Sequence, residues 1–441
     1  MEIDWGKLHR AHVSELERRY ARALSDNGYD AVVIHSGLAR SRTQFDDQFW
    51  PLRPTPEFQH WLPLAEPDCA LLIRPGQRHK LIWTQPPNFW EKPPAPASDF
   101  WLAQFDIIVV EDAADARAHL HPSGPRTTKT AFVGEEVRRA DGWGIGDANP
   151  TSLMKALDRL RVHKTPYELA AIDEANRIAA LGHRTVRDAF LAGDRSELDL
   201  HLLYLAATRQ DDPETPYKNI VALGADAATL HHVSYRKQAE RRAAESLLLD
   251  AGAACNGYCS DVTRTYVKGA GAAASAFAEL VARTETMQQR LCADVVVGKP
   301  YEELHEEAHR QVAAILSGLG IAKIGAEEVV TSGVSRAFFP HGLGHALGLV
   351  CHDVGCAELK PKAANPFLRN TSTISVDQVF TIEPGIYFIE MLLAPLRHGP
   401  QAARLDWALV DALAALGGVR IEDDVQVLAS GVRNFTREHL S

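Results

Sequence analysis

Acidic residues interrupt three apolar, β-like stretches of this 441-residue sequence, and they are the first candidates for chemistry. The four carboxylates in these stretches are Asp250, Asp261, Glu383 and Glu422. Burying an isolated carboxylate costs several kcal/mol unless the group is paired or binds a metal. A strand end or a salt bridge would account for any one of them alone. Three segments together indicate a shared divalent cation.

The Asn256-Gly257 pair between two β-like runs predicts a two-residue hairpin, because both central residues of a type I′ turn need positive φ. This register places Gly252 opposite Asp261 and puts Asp250 on the same face, two residues further along. The two carboxylates become diagonal neighbours, about 7–8 Å apart at the backbone, and can reach one ion. A three-residue loop would place them on opposite faces, so the inference depends on the turn.

Three histidines, His341, His345 and His352, lie within the glycine-rich stretch at residues 339–353. Carboxylate-rich sites suit Mn²⁺, Mg²⁺ or Ca²⁺, and an imidazole admits Mn²⁺, Fe²⁺, Co²⁺ or Zn²⁺. Four acids exceed the needs of one ion and favour a two-metal site, with ions about 3.5–4 Å apart. Arg420 lies two residues before Glu422, so the two would share one face of a strand.

The pattern of apolar and polar residues also predicts helices and strands along the chain. Residues 8–25 predict a helix, and five strands are predicted at residues 30–35, 70–74 with 80–83 as a hairpin, 105–110 and 130–133. This mixture indicates an α/β domain, followed by a helix that starts at Thr165-Pro166-Tyr167-Glu168 and runs to Gly193. Another helix starts at Ser196-Glu197, and two or three more are expected among later strands. The proline-rich segment 86–96 predicts an irregular loop.

Composition excludes several classes of protein. The formal net charge of −10 argues against a general nucleic-acid binder, which needs a basic surface to neutralise phosphates. No apolar run approaches the length of about 18 residues that a membrane span needs. The N-terminal residues predict no signal peptide. Six cysteines in so long a chain do not form a disulfide scaffold, and they predict reduced thiols in a cytoplasmic protein.

Five motifs occur in an order that is similar to that of the prolidases, the Xaa-Pro dipeptidases. They are LLLDAG at Asp250, SDVTRT at Asp261, PHGLGHALGLVCHDVG at His345, TIEPGIYF at Glu383 and GGVRIEDDV at Glu422. The segment PYKNIVAL, starting at Pro216, also matches, as do Ser36 and Phe45-Asp-Asp. The chain resembles the bacterial dipeptidase branch of the creatinase/aminopeptidase P/methionine aminopeptidase (pita-bread) superfamily, close to organophosphorus acid anhydrolases.

This resemblance implies an α/β (α+β) fold with two domains, a creatinase-like N-terminal α/β domain at residues 1–160 and a pita-bread catalytic domain at residues 161–441. The implied metal ligands are Asp250, Asp261, His345, Glu383 and Glu422. The implied catalytic residues are Glu383, His231, His352 near the scissile carbonyl oxygen, and Arg420. The implied substrate-binding residues are Arg369, which receives the free carboxylate, His341 and Tyr217.

The implied activity is hydrolysis of the Xaa-Pro bond of dipeptides by a hydroxide that bridges two divalent metal ions. Manganese is expected, with cobalt, zinc or iron as alternatives, and hydrolysis of organophosphate esters is a possible side activity by the same resemblance. The implied partner is the dipeptide substrate, without nucleic acid or membrane, in a cytoplasmic homodimer. His232 stands where relatives often have Tyr, and Ala346 where close relatives have Pro, so substrate preference is open.

Three alternatives stand beside this interpretation. His305-Glu306-Glu307-Ala308-His309 is a literal HExxH motif, which on a helix could bind Zn²⁺ with Glu306 as base. Its continuation has no metzincin glycine, and residues 301–316 predict an amphipathic, surface-type helix, on which charged residues four apart are ordinary, so the motif is given less weight. Aminopeptidase P activity would cleave the same bond in longer peptides. A protein that keeps the fold but only binds partners would typically lack metal ligands, whereas all five positions are filled here.

Overall fold

The structure, a computed structural model, describes residues 3–90, 99–121, 128–239 and 244–440. The chain forms two compact units, Met1–Leu169 and Ala170–Ser441. The domain boundary between residues 160 and 161 stays a prediction. Among the described residues, no helix combines the length and the apolar character that crossing a membrane requires.

The N-terminal unit is built on a mixed six-stranded sheet, in the spatial order β4-β3-β2-β1-β5-β6. Its strands are β1 (Ala31–His35), β2 (Cys69–Ile73), β3 (Lys80–Thr84), β4 (Asp106–Val110), β5 (Thr130–Val133) and β6 (Asp147–Ala148). Its helices are α1 (Trp5–Asp26), α2 (Pro56–Gln59), α3 (Ala116–Leu120), α4 (Val137–Trp143) and α5 (Thr151–Leu160). The predicted α/β character of this part is confirmed.

Successive residues of a strand point to opposite faces of the sheet. Both faces of this sheet are buried, each in its own core. Ile34 packs with Leu16 of α1 on one face, and Val33 packs with Trp143 of α4 on the other. The predicted hairpin is present, with β2 and β3 antiparallel. In the proline-rich segment, Phe89 and Trp90 are exposed in an irregular stretch, while residues 91–96 lie outside the described residues.

A cluster of buried histidines makes the N-terminal unit sensitive to acid. Burial lowers the pKa of His9 and of His12 to about 4 and that of His60 well below its usual value. Between about pH 6.5 and 4 the unfolded chain therefore binds more protons at these groups, and stability falls on acidification, by up to about 1.4 kcal/mol per pH unit for each histidine. Glu168 opposes this effect, because burial raises its pKa.

We expect the urea midpoint of this unit to fall from pH 7 to pH 5, measured by tryptophan fluorescence, because every tryptophan except Trp407 lies in this unit. His12 contacts the carbonyl oxygen of His60 through Nε2 at 2.7 Å. His12→Gln keeps a donor there but cannot titrate, so the pH dependence should become shallower. Equal midpoints at the two pH values would contradict the expectation.

The C-terminal unit combines small sheets with long helices. Its strands are β7 (Ile220–Leu223), β8 (Ser246–Asp250), β9 (Ala254–Cys255), β10 (Tyr258–Cys259), β11 (Thr263–Val267), β12 (Val379–Ile382), β13 (Gly385–Tyr387), β14 (Gly418–Arg420), β15 (Asp423–Val427) and β16 (Val432–Asn434). Its helices are α6 (Pro166–Ala192), which starts four residues before this unit, α7 (Glu197–Thr208), α8 (Ala272–Ala293), α9 (Tyr301–Gly318), α10 (Ala326–Thr331), α11 (Val334–Phe338), α12 (Glu390–Arg397), α13 (Trp407–Ala414) and α14 (Phe435–His439).

The strands pair as β11-β8-β7, β12-β15-β16, β10-β9 and β13-β14. Helices α8 and α9 cover one large core, in which Leu291 and Leu316 pack with Phe380 of β12 and Val425 of β15. The predicted starts of α6 and α7 are confirmed, and the Thr165 N–H donates to the Glu168 carboxylate at 2.7 Å. The expectation of two or three later helices was wrong, because α10–α14 add five short ones.

The Asn256-Gly257 hairpin is confirmed. Both residues have positive φ, 49° and 86°, and Tyr258 pairs with Cys255. The same register continues into the longer strands, where Thr263 pairs with Asp250. One turn therefore sets which face both aspartates share.

Candidate metal centre

A cavity of about 640 Å³ in the C-terminal unit gathers the predicted site. It is lined by all five predicted metal ligands, Asp250, Asp261, His345, Glu383 and Glu422. It is also lined by the predicted catalytic and substrate-binding residues His231, His341, His352, Arg369 and Arg420. The remaining one, Tyr217, contacts two of the acids directly. Residues scattered over the unit are thus brought to one place.

The β8–β11 ladder positions the two aspartates. The Tyr217 hydroxyl lies between the two carboxylates, 2.7 Å from Oδ1 of Asp250 and 2.6 Å from Oδ1 of Asp261, and can donate to either. A Cβ atom on Gly252 would come within 2.1 Å of the Ser260 carbonyl oxygen. The close approach of these backbones therefore requires glycine at position 252, and it draws the two carboxylates together.

His345 is oriented as a metal ligand would be. Its Nδ1 lies 3.1 Å from the Ala346 carbonyl oxygen, which leaves Nε2 facing Asp261 at 3.4 Å and Glu383 at 3.5 Å. A backbone carbonyl on one ring nitrogen is the usual support for a histidine that binds metal through the other. The preceding Gly344 is needed because a Cβ there would lie 2.1 Å from the Thr381 carbonyl oxygen of β12.

Glu422 is held in a connected network behind the cavity. Thr263 donates its hydroxyl to Glu422 at 2.6 Å and lies 3.2 Å from Nε of Arg420. The same guanidinium donates to Asp250 at 2.6 Å and to the Tyr387 hydroxyl at 2.9 Å. Arg420 therefore supports one acid directly and a second through Thr263.

Burial and mutual repulsion oppose ionisation of most of these acids. Burial, together with the nearby Asp261, Glu383 and Asp250 carboxylates, raises the pKa of Glu422 well above its usual value. Burial opposes charge on His345 as well, yet its contacts with Asp261 raise the histidine's pKa. The acids therefore favour a positive charge at Nε2 of His345, the ring nitrogen that faces them. Ligand atoms of Asp261, His345 and Glu422 all lie within 4.8 Å of one another, as a shared ion requires.

The substrate-side residues lie at the rim. His352 is exposed and stacks edge-on against His345, with ring centroids 4.4 Å apart. His341 Nε2 is 2.9 Å from the Tyr387 hydroxyl. Arg369 is exposed and follows Phe367, whose side chain is 68% exposed. The rim thus combines imidazoles, one guanidinium and apolar surface.

His231 is carried by a segment that Glu197 anchors. Glu197 is fully buried and accepts hydrogen bonds from the backbone N–H groups of Leu223 at 3.0 Å and Arg236 at 2.8 Å. His232, the neighbour of His231, contacts the same carboxylate at 3.0 Å. Although burial opposes its charge, these hydrogen bonds lower the pKa of Glu197. A single carboxylate therefore holds both ends of the segment.

We expect Glu197→Gln to lower kcat more than it raises KM, because an amide accepts with one oxygen only and His231 loses its fixed position. A loss of roughly tenfold is expected, as for other groups that orient catalytic residues. Asp226→Asn is the matched control, since Asp226 also contacts His232 and Arg236 but is half exposed. Equal effects of the two substitutions on kcat would contradict the anchoring role.

The HExxH motif lies on α9 and serves a different purpose. The predicted amphipathic helix is present, and His305 and His309, each 2% exposed, lie on its buried face. His309 Nε2 lies 3.3 Å from the guanidinium of Arg336, a cation where a metal would have to bind. Glu306 pairs with Lys362 at 2.7 Å. These contacts attach the loop that leads to Arg369 and disfavour a zinc site.

Sequence reasoning missed four residues of the centre. They are Thr263, Tyr387, Cys351 and Asp424. All four lie inside quoted motifs, in SDVTRT, TIEPGIYF, PHGLGHALGLVCHDVG and GGVRIEDDV respectively, so proximity to the predicted ligands was the available signal. Asp424 accepts from the Asp261 backbone N–H at 3.0 Å and from Asn176 at 2.8 Å. Its pairing across 163 residues of chain has no local signature.

Comparisons with known proteins agree with this geometry. Residues 170–429 match the model of metallopeptidase family M24, and residues 7–158 match the Xaa-Pro dipeptidase N-terminal domain. The chain is 43% identical to an Xaa-Pro dipeptidase of Marinobacter nauticus, with 98% of each chain covered. It is 39% identical to an Xaa-Pro dipeptidase of Pseudoalteromonas atlantica, again with 98% of each covered.

Among solved structures, aminopeptidase PepP of Pseudomonas aeruginosa is similar, with a TM-score of 0.73 and 21% identity over 96% of this chain and 95% of that one. At this identity the similarity shows the fold alone, and it agrees with the predicted α/β (α+β), pita-bread architecture. The chain therefore belongs to metallopeptidase family M24, in its prolidase branch.

Proposed function

We propose that this protein is a metallo-dipeptidase that hydrolyses the Xaa-Pro peptide bond of dipeptides. The observation that carries the proposal is the convergence of three buried carboxylates, the half-buried Glu383 and His345 in the cavity that also holds Arg369. The names of full-length relatives, Xaa-Pro dipeptidases, support the substrate class.

The donor set fits divalent metal ions. Asp250, Asp261, His345, Glu383 and Glu422 would hold them, because their oxygens and one imidazole crowd a buried space in which burial raises the pKa of Asp250, Glu383 and Glu422. Four carboxylates suit two ions, and an oxygen-rich set with one nitrogen favours manganese over cobalt, zinc or iron. Such ions supply a water of lowered pKa and polarise the substrate carbonyl.

The chain's own residues bind and move protons around that chemistry. Glu383, beside His345 at 3.5 Å, would take the proton of the attacking water on its carboxylate and pass it to the leaving nitrogen. His231 and His352 would donate hydrogen bonds to the oxygen of the scissile carbonyl as negative charge develops there. Arg420 donates to the Asp250 carboxylate at 2.6 Å, which orients that acid and opposes the rise in its pKa that burial causes.

Substrate recognition has to work without a leaving-group N–H, because the scissile nitrogen belongs to proline. Arg369 would bind the free carboxylate of the dipeptide through two parallel hydrogen bonds. His341 and Tyr217 would complete the substrate site, Tyr217 through the two aspartates it contacts. Phe367 and Met391, both largely exposed at the cavity rim, offer apolar surface to the substrate side chains.

The assembly and location are part of the proposal. None of the six cysteines, all of them among the described residues, forms a disulfide, which suits a reducing compartment, and we propose a cytoplasmic homodimer. Hydrolysis of organophosphate esters stays a prediction of the resemblance.

The decisive assay compares Ala-Pro with Ala-Pro-Ala, using metal-free protein reloaded with Mn²⁺, Co²⁺ or Zn²⁺. We expect turnover of the dipeptide, highest with Mn²⁺, and much slower turnover of the tripeptide. Comparable or faster cleavage of the tripeptide would favour aminopeptidase P activity. Failure to cleave either peptide would contradict the proposal.

A further inference from the structure

A thiol lies inside the candidate metal centre. Sγ of Cys351 is 2.9 Å from Oδ2 of Asp261, and it lies within 4.8 Å of ring nitrogens of both His345 and His352. Cys351 is half-buried and His352 is exposed, so this side of the centre is reachable from solvent. None of the carboxylate contacts described above requires a sulfur atom at this position.

This donor set differs from two acid-histidine clusters that lie outside the cavity, among the residues that the structure describes. The cluster of Asp173, Glu438 and His439 already pairs with Arg433, at 2.9 Å from Asp173. The cluster around Glu197 likewise contains Arg236, whose guanidinium is 3.3 Å from its carboxylate. In each of them a guanidinium supplies the positive charge. The group at Cys351 instead offers two imidazoles and a sulfur.

We propose that Cys351, His345 and His352 form a second, sulfur-containing site for a thiophilic divalent ion such as Zn²⁺ or Co²⁺. Thiolate with imidazole is a donor set typical of zinc, whereas the carboxylate set favours harder ions. Binding replaces the S–H bond by a sulfur–metal bond, and the proton goes to bulk water.

The two donor sets share His345, so a single histidine cannot serve both at once. An ion at Cys351 therefore competes with the carboxylate-bound ion at this position. It also binds His352, which in the proposed function donates a hydrogen bond to the scissile carbonyl oxygen of the substrate. The sulfur site is thus a way for excess thiophilic metal to block the centre. Its existence does not depend on which peptide the enzyme cleaves.

Ultraviolet absorption during titration of the metal-free full chain with Co²⁺ tests the site. We expect a sulfur-to-cobalt charge-transfer band in wild-type protein that Cys351→Ser removes. Cys255→Ser is the matched control, because Cys255 is the other half-buried cysteine and lies outside the donor cluster. That variant should keep the band.

Alkylation of wild-type protein gives a second readout that needs no variant. With Zn²⁺ or Co²⁺ at ten times its dissociation constant, iodoacetamide should modify Cys351 about tenfold more slowly, while Cys255 reacts at an unchanged rate, as peptide mass spectrometry can measure. Absence of the band in wild-type protein, an equal band in folded Cys351→Ser, or unchanged alkylation of Cys351 would each overturn the proposal.

Discussion

Glu422→Gln is expected to lower kcat/KM for Ala-Pro by more than about 10³-fold while leaving the protein folded. The substitution preserves shape and an acceptor for the Thr263 hydroxyl, which lies 2.6 Å from the carboxylate. It removes one of the negative charges that would hold the metal ions. Loss of groups that only support ligands already costs 10–100-fold, so loss of a direct ligand should cost more.

The measurement pairs kinetics with bound metal per chain, determined by elemental analysis after dialysis. Glu306→Gln is the matched control, because it makes the same chemical change in the HExxH motif at a partly exposed salt bridge with Lys362. That variant should stay within a few-fold of wild type. A large loss in Glu306→Gln with normal activity in Glu422→Gln would instead point to a zinc site on α9.

The hairpin shows what local pattern can predict about this centre. Asn256-Gly257 specifies its own turn, because few other pairs accept positive φ at both positions. From that turn the register of β8 and β11 follows by counting, and so does the shared face of Asp250 and Asp261. The short apolar runs in the N-terminal unit also predicted their strands. They are apolar at successive positions because both faces of the sheet are buried.

Contacts between distant segments were beyond such reasoning. Arg420 bonds to Asp250 across 170 residues and to Tyr387 across 33, and neither partner alters the local pattern around the other. The amphipathic pattern predicted α9 itself, but it could not show that the two histidines pack against Phe339, because that contact joins distant segments. Short helices such as α11 and α14 gain their stability from packing rather than from propensity, which leaves little signal in the sequence.

The metal ligands themselves are arranged by backbone more than by side-chain choice. Gly252 and Gly344 each allow an approach that a Cβ atom would block at 2.1 Å. Each of these approaches brings an acid or His345 to the cavity. Burial and then the neighbouring carboxylates raise the pKa of Glu422, whereas contacts with His345 outweigh burial and lower the pKa of Asp261 to about 2; a divalent ion would relieve the repulsion that remains. The centre therefore costs stability without metal, and metal binding should stabilise this unit.

Arg369→Met should reduce kcat/KM for Ala-Pro by about 10- to 100-fold, while turnover of Ala-Pro-Ala changes little. A hydrogen-bonded ion pair with a carboxylate contributes about 1.5–3 kcal/mol, and each 1.36 kcal/mol corresponds to a factor of ten. Methionine keeps much of the length and apolar contact of the arginine side chain, so the change isolates the charge. The preference for the dipeptide over the tripeptide should therefore largely disappear.

Ala-Pro-amide provides the control for this prediction, because it removes the carboxylate from the substrate instead of the guanidinium from the protein. Wild-type protein should lose a similar factor on the amide, and Arg369→Met should lose little more, since the interaction can be removed only once. Independent, multiplying losses would mean that Arg369 does not meet the carboxylate. The dipeptide restriction would then have to come from the rim residues Phe367 and Met391, which line the same cavity.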